Sequence, residues 1–211
     1  ELKSLVGDYP FRSRTDTEVL LALFDRFGLE MLPKLNGMFA LAIWDGREKK
    51  VHLATDRFGI KPLYFTSADG DLIFGSEIKA IFSHPAVSRQ IDNETVNDYL
   101  SFQFSFGERT FYEGVSSIEP GTVLTFGIEN PTRVENRYNY WEMEFDLGNA
   151  HSTQRDLNSH AIELREALGK AIVSQTRSDV PVGSFLSGGM DTGSIATIAS
   201  GTLGKIDTFT C

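Results

Sequence analysis

The residues best suited to chemistry lie together in one short stretch, Ser187-Gly188-Gly189-Met190-Asp191-Thr192-Gly193-Ser194. Val180–Leu186 before it reads as a buried strand and Asp191–Leu203 after it as a helix, so the loop sits where open α/β sheets bind ligands. Two adjacent glycines let backbone N–H groups approach an anion without interference from a Cβ. The helix start adds unpaired donors and a positive dipole end. The hydroxyls of Ser187, Thr192 and Ser194 can donate to phosphate oxygens. Asp191 cannot bind phosphate directly, and its chemistry suits a Mg²⁺ ion that bridges to it. Neither common nucleotide signature fits: the loop has no Lys for a Walker A sequence, and its glycines do not match G-x-G-x-x-G. The plainer alternative is a glycine-rich turn with an ordinary helix cap at Ser187 or Asp191.

Other candidates offer less. His52, His84, His151 and His160 have no metal-ligand spacing with Cys, Asp or Glu. Asp45-Gly46-Arg47-Glu48-Lys49-Lys50 reads as a charged surface hairpin loop, and the 16 Phe read as core. Cys211, the only cysteine, reads as a small buried strand residue. One cysteine cannot form an intrachain disulfide, so a reducing cytoplasmic setting is expected. Twenty Lys and Arg against 29 Asp and Glu leave a net charge of -9, the wrong sign for a nucleic-acid binder. The longest apolar run, Met38 to Trp44, is far short of the roughly 20 residues a membrane helix needs.

Two hundred and eleven residues suit one or two domains. Asp16–Phe27 reads as a helix, with Val19, Leu20, Leu23, Phe24 and Phe27 on one face, a Thr15/Glu18 capping box and Gly28 as its stop. Strands are expected at Met38–Asp45, Val51–Thr55, Leu63–Thr66 and Leu72–Ser76, with turns at Asp45-Gly46 and Asp69-Gly70. The first of these is apolar on both alternating faces, which implies a sheet covered on both sides. Short helices at Glu77–Phe82 and Glu94–Phe102 follow, the second capped by Asp92, and then strands at Thr110–Tyr112 and Thr122–Phe126. Polar, irregular sequence over Gly127–Thr153 suggests a linker. A helix is expected at His160–Gln175, and a strand at Ile206–Cys211 completes, with Val180–Leu186 and Asp191–Leu203, a parallel βαβ unit around the loop.

Ser-Gly-Gly-x-Asp-Ser after a first parallel strand resembles the pyrophosphate (PP) loop of the N-type ATP pyrophosphatases. Ser178-Asp179-Val180-Pro181-Val182-Gly183-Ser184-Phe185-Leu186-Ser187-Gly188-Gly189-Met190-Asp191 resembles the glutamine-hydrolysing asparagine synthetase family more specifically. Leu35-Asn36-Gly37-Met38-Phe39-Ala40-Leu41-Ala42-Ile43-Trp44-Asp45 is similar to that family's central glutaminase strand. Asp56-Arg57-Phe58-Gly59-Ile60-Lys61-Pro62-Leu63-Tyr64, Ser76-Glu77-Ile78-Lys79-Ala80 and Arg14-Thr15-Asp16-Thr17-Glu18 are similar in the same order, over about 190 residues.

The resemblance implies an α+β N-terminal nucleophile glutaminase domain (an αββα sandwich), partial, over 1–140. A linker at 141–153 and the start of a three-layer α/β PP-loop domain over 154–211 would follow. It implies glutamine hydrolysis, ammonia passage through a tunnel, and ATP-dependent amidation of aspartate through β-aspartyl-AMP. Glutamine, aspartate and ATP would be the small-molecule substrates, Mg²⁺ the metal, and a homodimer is compatible with it. Asp16 falls on the position that binds the amino end of glutamine; by itself it reads as a first-turn acid favoured by the helix dipole. Leu186, Ser187, Gly188, Gly189, Asp191 and Thr192 fall on ATP-binding positions, with Asp191 as the metal tether. Thr192 replaces the usual Ser, keeping the hydroxyl, whereas Gly193 loses one. The N-terminal Cys nucleophile has no counterpart at Glu1, and truncation at both ends with loss of catalysis is the expectation. Rival readings are amidation of another carboxylate, a β-lactam-closing relative, and a non-catalytic ATP-binding remnant.

Overall fold

A computed structural model describes residues 2–145 and 157–210, which fall into two compact units, Glu1–Glu144 and Phe145–Cys211. Cys211, Glu1, His151 and most of the expected linker lie outside the described residues.

The first unit opens with a short helix α1 (Leu2–Leu5) and then α2 (Asp16–Phe27), whose bounds match the sequence pattern. Thr15 caps α2 by accepting from the Glu18 N–H at 3.4 Å, and the Gly28 N–H closes the last turn onto Phe24 O. The capping box is not reciprocal. Glu18 instead accepts from the N–H groups of Arg12 and Ser13, at 2.7 and 2.6 Å. A 3₁₀ helix over Gly28–Lys34, which the sequence reading did not anticipate, leads to β1 (Ala40–Asp45).

Strands β1, β2 (Lys50–Thr55), β6 (Thr122–Gly127) and β7 (Val134–Asn139) form an antiparallel sheet in the order β1-β2-β6-β7. A second antiparallel sheet, β4-β3-β5, comprises β3 (Tyr64–Ala68), β4 (Asp71–Gly75) and β5 (Ser116–Ser117). Successive residues of a strand face opposite ways, and that alternation builds two cores here. Ala54 and Val123 pack with Ala22, Leu23, Met31, Leu32 and Leu35 of the helical layer, beside Leu41 and Ile43. Leu53, Leu124 and Phe126 pack with Leu63 and Ile118, beside Phe65 and Leu72 of the second sheet. Helix α3 (Ile78–Ile81) packs on β3 and β4 outside that second core, completing an αββα arrangement. Helix α4 (Asn93–Phe102) starts at Asp92, whose carboxylate accepts from the N–H groups of Glu94 and Thr95.

Several expectations need correction. The sheet is covered on both faces as expected, by the helical layer and by the second sheet, but the cover does not extend along all of β1, where Ala42 is exposed and Trp44 is 53% exposed. The Asp45-Gly46 turn is a longer loop whose left-handed residue is Lys49 (φ 56°), whereas Asp69-Gly70 (φ 51° and 86°) makes the tight turn its sequence suggests. Thr110–Tyr112 forms no strand, only the isolated bridge of Tyr112 with Ile91, beside a second bridge of Arg109 with Ser116. Part of the polar stretch expected to be irregular is β7, an edge strand, which needs no apolar alternation when its outer side faces water. Phe102 at the end of α4 and Phe104 and Phe106 just beyond it lie exposed and in mutual ring contact, not in the core.

One glycine of the first unit has no substitute. Gly121 has φ +62°, and a Cβ there would meet the Trp141 carbonyl oxygen at 2.7 Å. Its backbone groups are also committed, its N–H to Asp56 O and its C=O to the Tyr140 N–H. Gly121→Ala is expected to lower stability by about 2–4 kcal/mol, measured as a reduced midpoint in denaturant with an unchanged slope.

In the second unit, α5 (Leu157–Gln175) begins slightly before the expected helix. It precedes β8 (Gly183–Phe185), α6 (Met190–Leu203) and β9 (Asp207–Phe209). β8 and β9 pair in parallel, as the βαβ reading requires. The expectation of a buried strand over Val180–Leu186 fails: β8 is shorter, and Phe185 is 75% exposed. Two strands and two helices enclose only a small apolar contact. Among the described residues of this unit, Ile172, Ala196 and Ala199 are the buried ones. No described helix is long and apolar enough to cross a membrane.

Candidate functional site

The phosphate-type loop leaves the carboxyl end of β8. Leu186 N–H donates to Phe209 O at 2.8 Å and Leu186 O accepts from the Thr210 hydroxyl at 2.7 Å, so the loop is fastened to the end of β9. Gly188 then takes φ +82°, a left-handed conformation open to glycine at no steric cost. The turn is closed from within. Thr192 Oγ1 accepts from Ser187 N–H at 3.3 Å, lies 3.1 Å from Ser187 Oγ and donates to Gly189 O at 3.3 Å. Ser187 Oγ accepts in turn from Gly189 N–H at 3.4 Å.

Gly189 is the N-cap of α6, with no side-chain cap hydrogen bond. The ordinary capping role considered for Ser187 or Asp191 is therefore not the one adopted. With no side chain seated on the helix start, its first N–H groups point outward with the positive end of the dipole. Ser187, Gly188, Gly189 and Asp191 are exposed, and Asp191 forms no ion pair among the described residues. The structure thus brings Leu186, Ser187, Gly188, Gly189, Asp191 and Thr192 into one turn. Ser194 is set apart from their hydroxyls: it borders a groove between α5 and α6 with Leu164, Leu168 and Met190. Among the described residues no group of three His, Cys, Asp or Glu could hold a metal by itself. One free carboxylate beside outward-pointing N–H donors is compatible with Mg²⁺, which commonly takes one or two protein carboxylates plus substrate phosphates and water.

Asp16 lies in the other unit, at the first position of α2. It is exposed, its Oδ1 accepts only from the Thr17 N–H at 2.9 Å, and no described cation pairs with it. The turn before it is held by Glu18, whose carboxyl lies below its ordinary range. The Arg12 N–H contributes most, then the Ser13 hydroxyl. Asp16 is therefore an unpaired carboxylate on a braced turn.

A third carboxylate, which the sequence reading passed over as a site, organises the first unit. Asp56 is 1% exposed, with Oδ1 accepting from the N–H groups of Phe58 and Ile60 and Oδ2 from those of Phe39 and Lys61, all at 3.1 Å. Burial pushes this carboxyl up, but the four amides outweigh it and hold the pKa below the ordinary 3.8. The available signal was an Asp opening a turn with a glycine three residues on, the chemistry of an Asx turn.

Residues 1–141 match the family model described as a glutamine amidotransferase domain. The chain belongs to that family. Residues 163–211 of this glutamine amidotransferase family member match a second model, described as asparagine synthase. Asparagine synthetase [glutamine-hydrolyzing] 2 of Bacillus subtilis is 34% identical over 209 residues, covering 95% of this chain and 27% of the relative. Asparagine synthetase [glutamine-hydrolyzing] 1 of the same organism is 36% identical, covering 90% and 29%. Amidase chyE of Penicillium rubens is 31% identical, covering 91% and 27%. The chain thus spans under a third of the length of each of these three relatives. Among solved structures, a glutamine PRPP amidotransferase from B. subtilis covers 99% of the chain and is covered over 42% of its own length, at 18% identity and a TM-score of 0.44.

Proposed function

We propose that this chain contributes to an ATP-dependent enzyme that amidates aspartate to asparagine with ammonia from glutamine. The observation that carries the reading is the succession of two matches along one chain, glutamine amidotransferase then asparagine synthase, with the Ser187–Thr192 loop inside the second. A carboxylate is a poor acyl donor. Adenylation gives it a leaving group, and the β-aspartyl-AMP formed is then open to ammonia. Charge accumulates on the departing pyrophosphate, where exposed N–H groups at the start of α6 and the hydroxyl of Ser187 can stabilise it. Mg²⁺ tethered by Asp191 would neutralise part of the same charge. Asp16 binds the ammonium of glutamine through its unpaired carboxylate.

The test is pyrophosphate release by the polypeptide containing this chain, with Mg-ATP, aspartate and either glutamine or ammonia. Release that depends on aspartate is expected; nucleotide binding without release on any carboxylate overturns the reading. Asp16→Ala should lower kcat/KM for glutamine by roughly ten- to a hundredfold, the worth of one charge-assisted hydrogen bond. Ammonia-driven activity should be unchanged, and equal loss with both donors would remove Asp16 from glutamine binding. A second reading, amidation of a different carboxylate, is favoured by the 31% identity to a relative named as an amidase. Release with another acid and none with aspartate would select it.

A further inference from the structure

Asn36-Gly37 is the only Asn-Gly pair in the sequence. It lies between two fixed points. Leu35, before it, is buried and donates its N–H to Leu32 O; Phe39, after it, exchanges hydrogen bonds with Asp56 through both its N–H and its C=O. Between those anchors Asn36 and Gly37 are exposed. Among the described residues neither the Asn36 amide nor the Gly37 N–H makes a hydrogen bond, and nothing lies within 4 Å of where a Cβ on Gly37 would sit.

We propose that Asn36-Gly37 is a self-modification site that forms a succinimide and opens to an aspartyl or isoaspartyl linkage. A base takes the Gly37 amide proton, and the nitrogen attacks Cγ of Asn36. The new C–N bond closes a five-membered ring as the Cγ–Nδ2 bond breaks and ammonia leaves with the proton. Water then opens the ring at either carbonyl, so the net change is amide plus water to carboxylate plus ammonium. Glycine favours the attack because no side chain shields the nitrogen.

The two Asp-Gly pairs are held differently. Asp45 Oδ1 already accepts from the N–H groups of Arg47 and Glu48, and Asp69-Gly70 is locked in the tight turn between β3 and β4. Conversion at position 36 adds a negative charge and, in the isoaspartyl form, one main-chain carbon just ahead of the Phe39–Asp56 contacts.

The inference is independent of the proposed enzyme activity. The folded chain is incubated at mildly alkaline pH, digested and mapped by mass spectrometry with enzymatic isoaspartate labelling. A free peptide of the same local sequence runs alongside. The expected result is that the peptide spanning 36 and 37 gains the acid mass and the label before any other, at a rate within a few-fold of the free peptide. Gly37→Ala should slow it severalfold while leaving the circular dichroism spectrum unchanged. An intact Asn36 in the folded chain while the free peptide converts would overturn the proposal, as would earlier conversion at another Asn or at an Asp-Gly pair.

Discussion

Asp56→Ala is expected to destabilise the first unit by about 3–5 kcal/mol, a large share of the roughly 5–15 kcal/mol that an ordinary domain has. The size follows from what one carboxylate does. It satisfies amides on both sides of a chain crossing, Phe39 at the entry to β1 and Phe58, Ile60 and Lys61 in the loop after β2. The Asp56 backbone joins the same junction, its N–H going to Phe39 O and its C=O accepting from Gly59 and Gly121. Alanine leaves the four amide donors without that acceptor at once. Denaturant unfolding followed by tryptophan fluorescence measures the loss, and a change under about 1 kcal/mol would show that the carboxylate is dispensable.

The same group fixes a pH dependence. Its folded pKa lies below the ordinary 3.8, so the unfolded chain binds the proton more readily. The stability it gives is complete above the unfolded value and disappears as pH falls through the folded one. Asp56→Asn should flatten that part of the acid unfolding profile, since an amide does not titrate there.

Asp191→Ala is expected to cut pyrophosphate release by about a hundredfold or more, whichever nitrogen donor is supplied. Asp191 is exposed in the first turn of α6 and contributes little to packing, so the variant should fold normally. Partial recovery with Mn²⁺ in an Asp191→Asn variant would identify the lost group as a metal ligand. Unchanged release in Asp191→Ala would remove the carboxylate from the phosphate chemistry.

Local signals told most where they agreed with one another. Helix α2 was legible because the Thr15 cap, the apolar stripe and Gly28 all specify the same bounds. Asp92 announced α4 in the same way. β7 was illegible because an edge strand with solvent along it carries no apolar alternation, and its sequence, Val134-Glu135-Asn136-Arg137-Tyr138-Asn139, reads as a polar connection. The 3₁₀ helix was hidden by Gly28 at its start and Pro33 near its end, both of which read as breakers. At β8 the apolar composition was read correctly and its burial was not, because burial depends on neighbours that composition does not contain. The loop at Ser187–Thr192 was visible from its residue types alone. Asp16 was not: one acid at the start of a helix looks the same whether it serves the dipole or a ligand, and the resemblance alone separated the two.

The junction at Asp56 also sets how freely its surroundings can drift. Every donor it gathers is a main-chain amide, and such a contact is blind to the side chain attached. Ile60 is about half exposed and can be re-lettered widely without altering the path of the chain, whereas Phe58, though exposed, keeps a ring contact with Trp141 at 5.1 Å; at both positions proline, which lacks the hydrogen, is barred. The loop therefore has a fixed course and a changeable exterior, which lets a protein acquire new surface chemistry there without refounding its architecture.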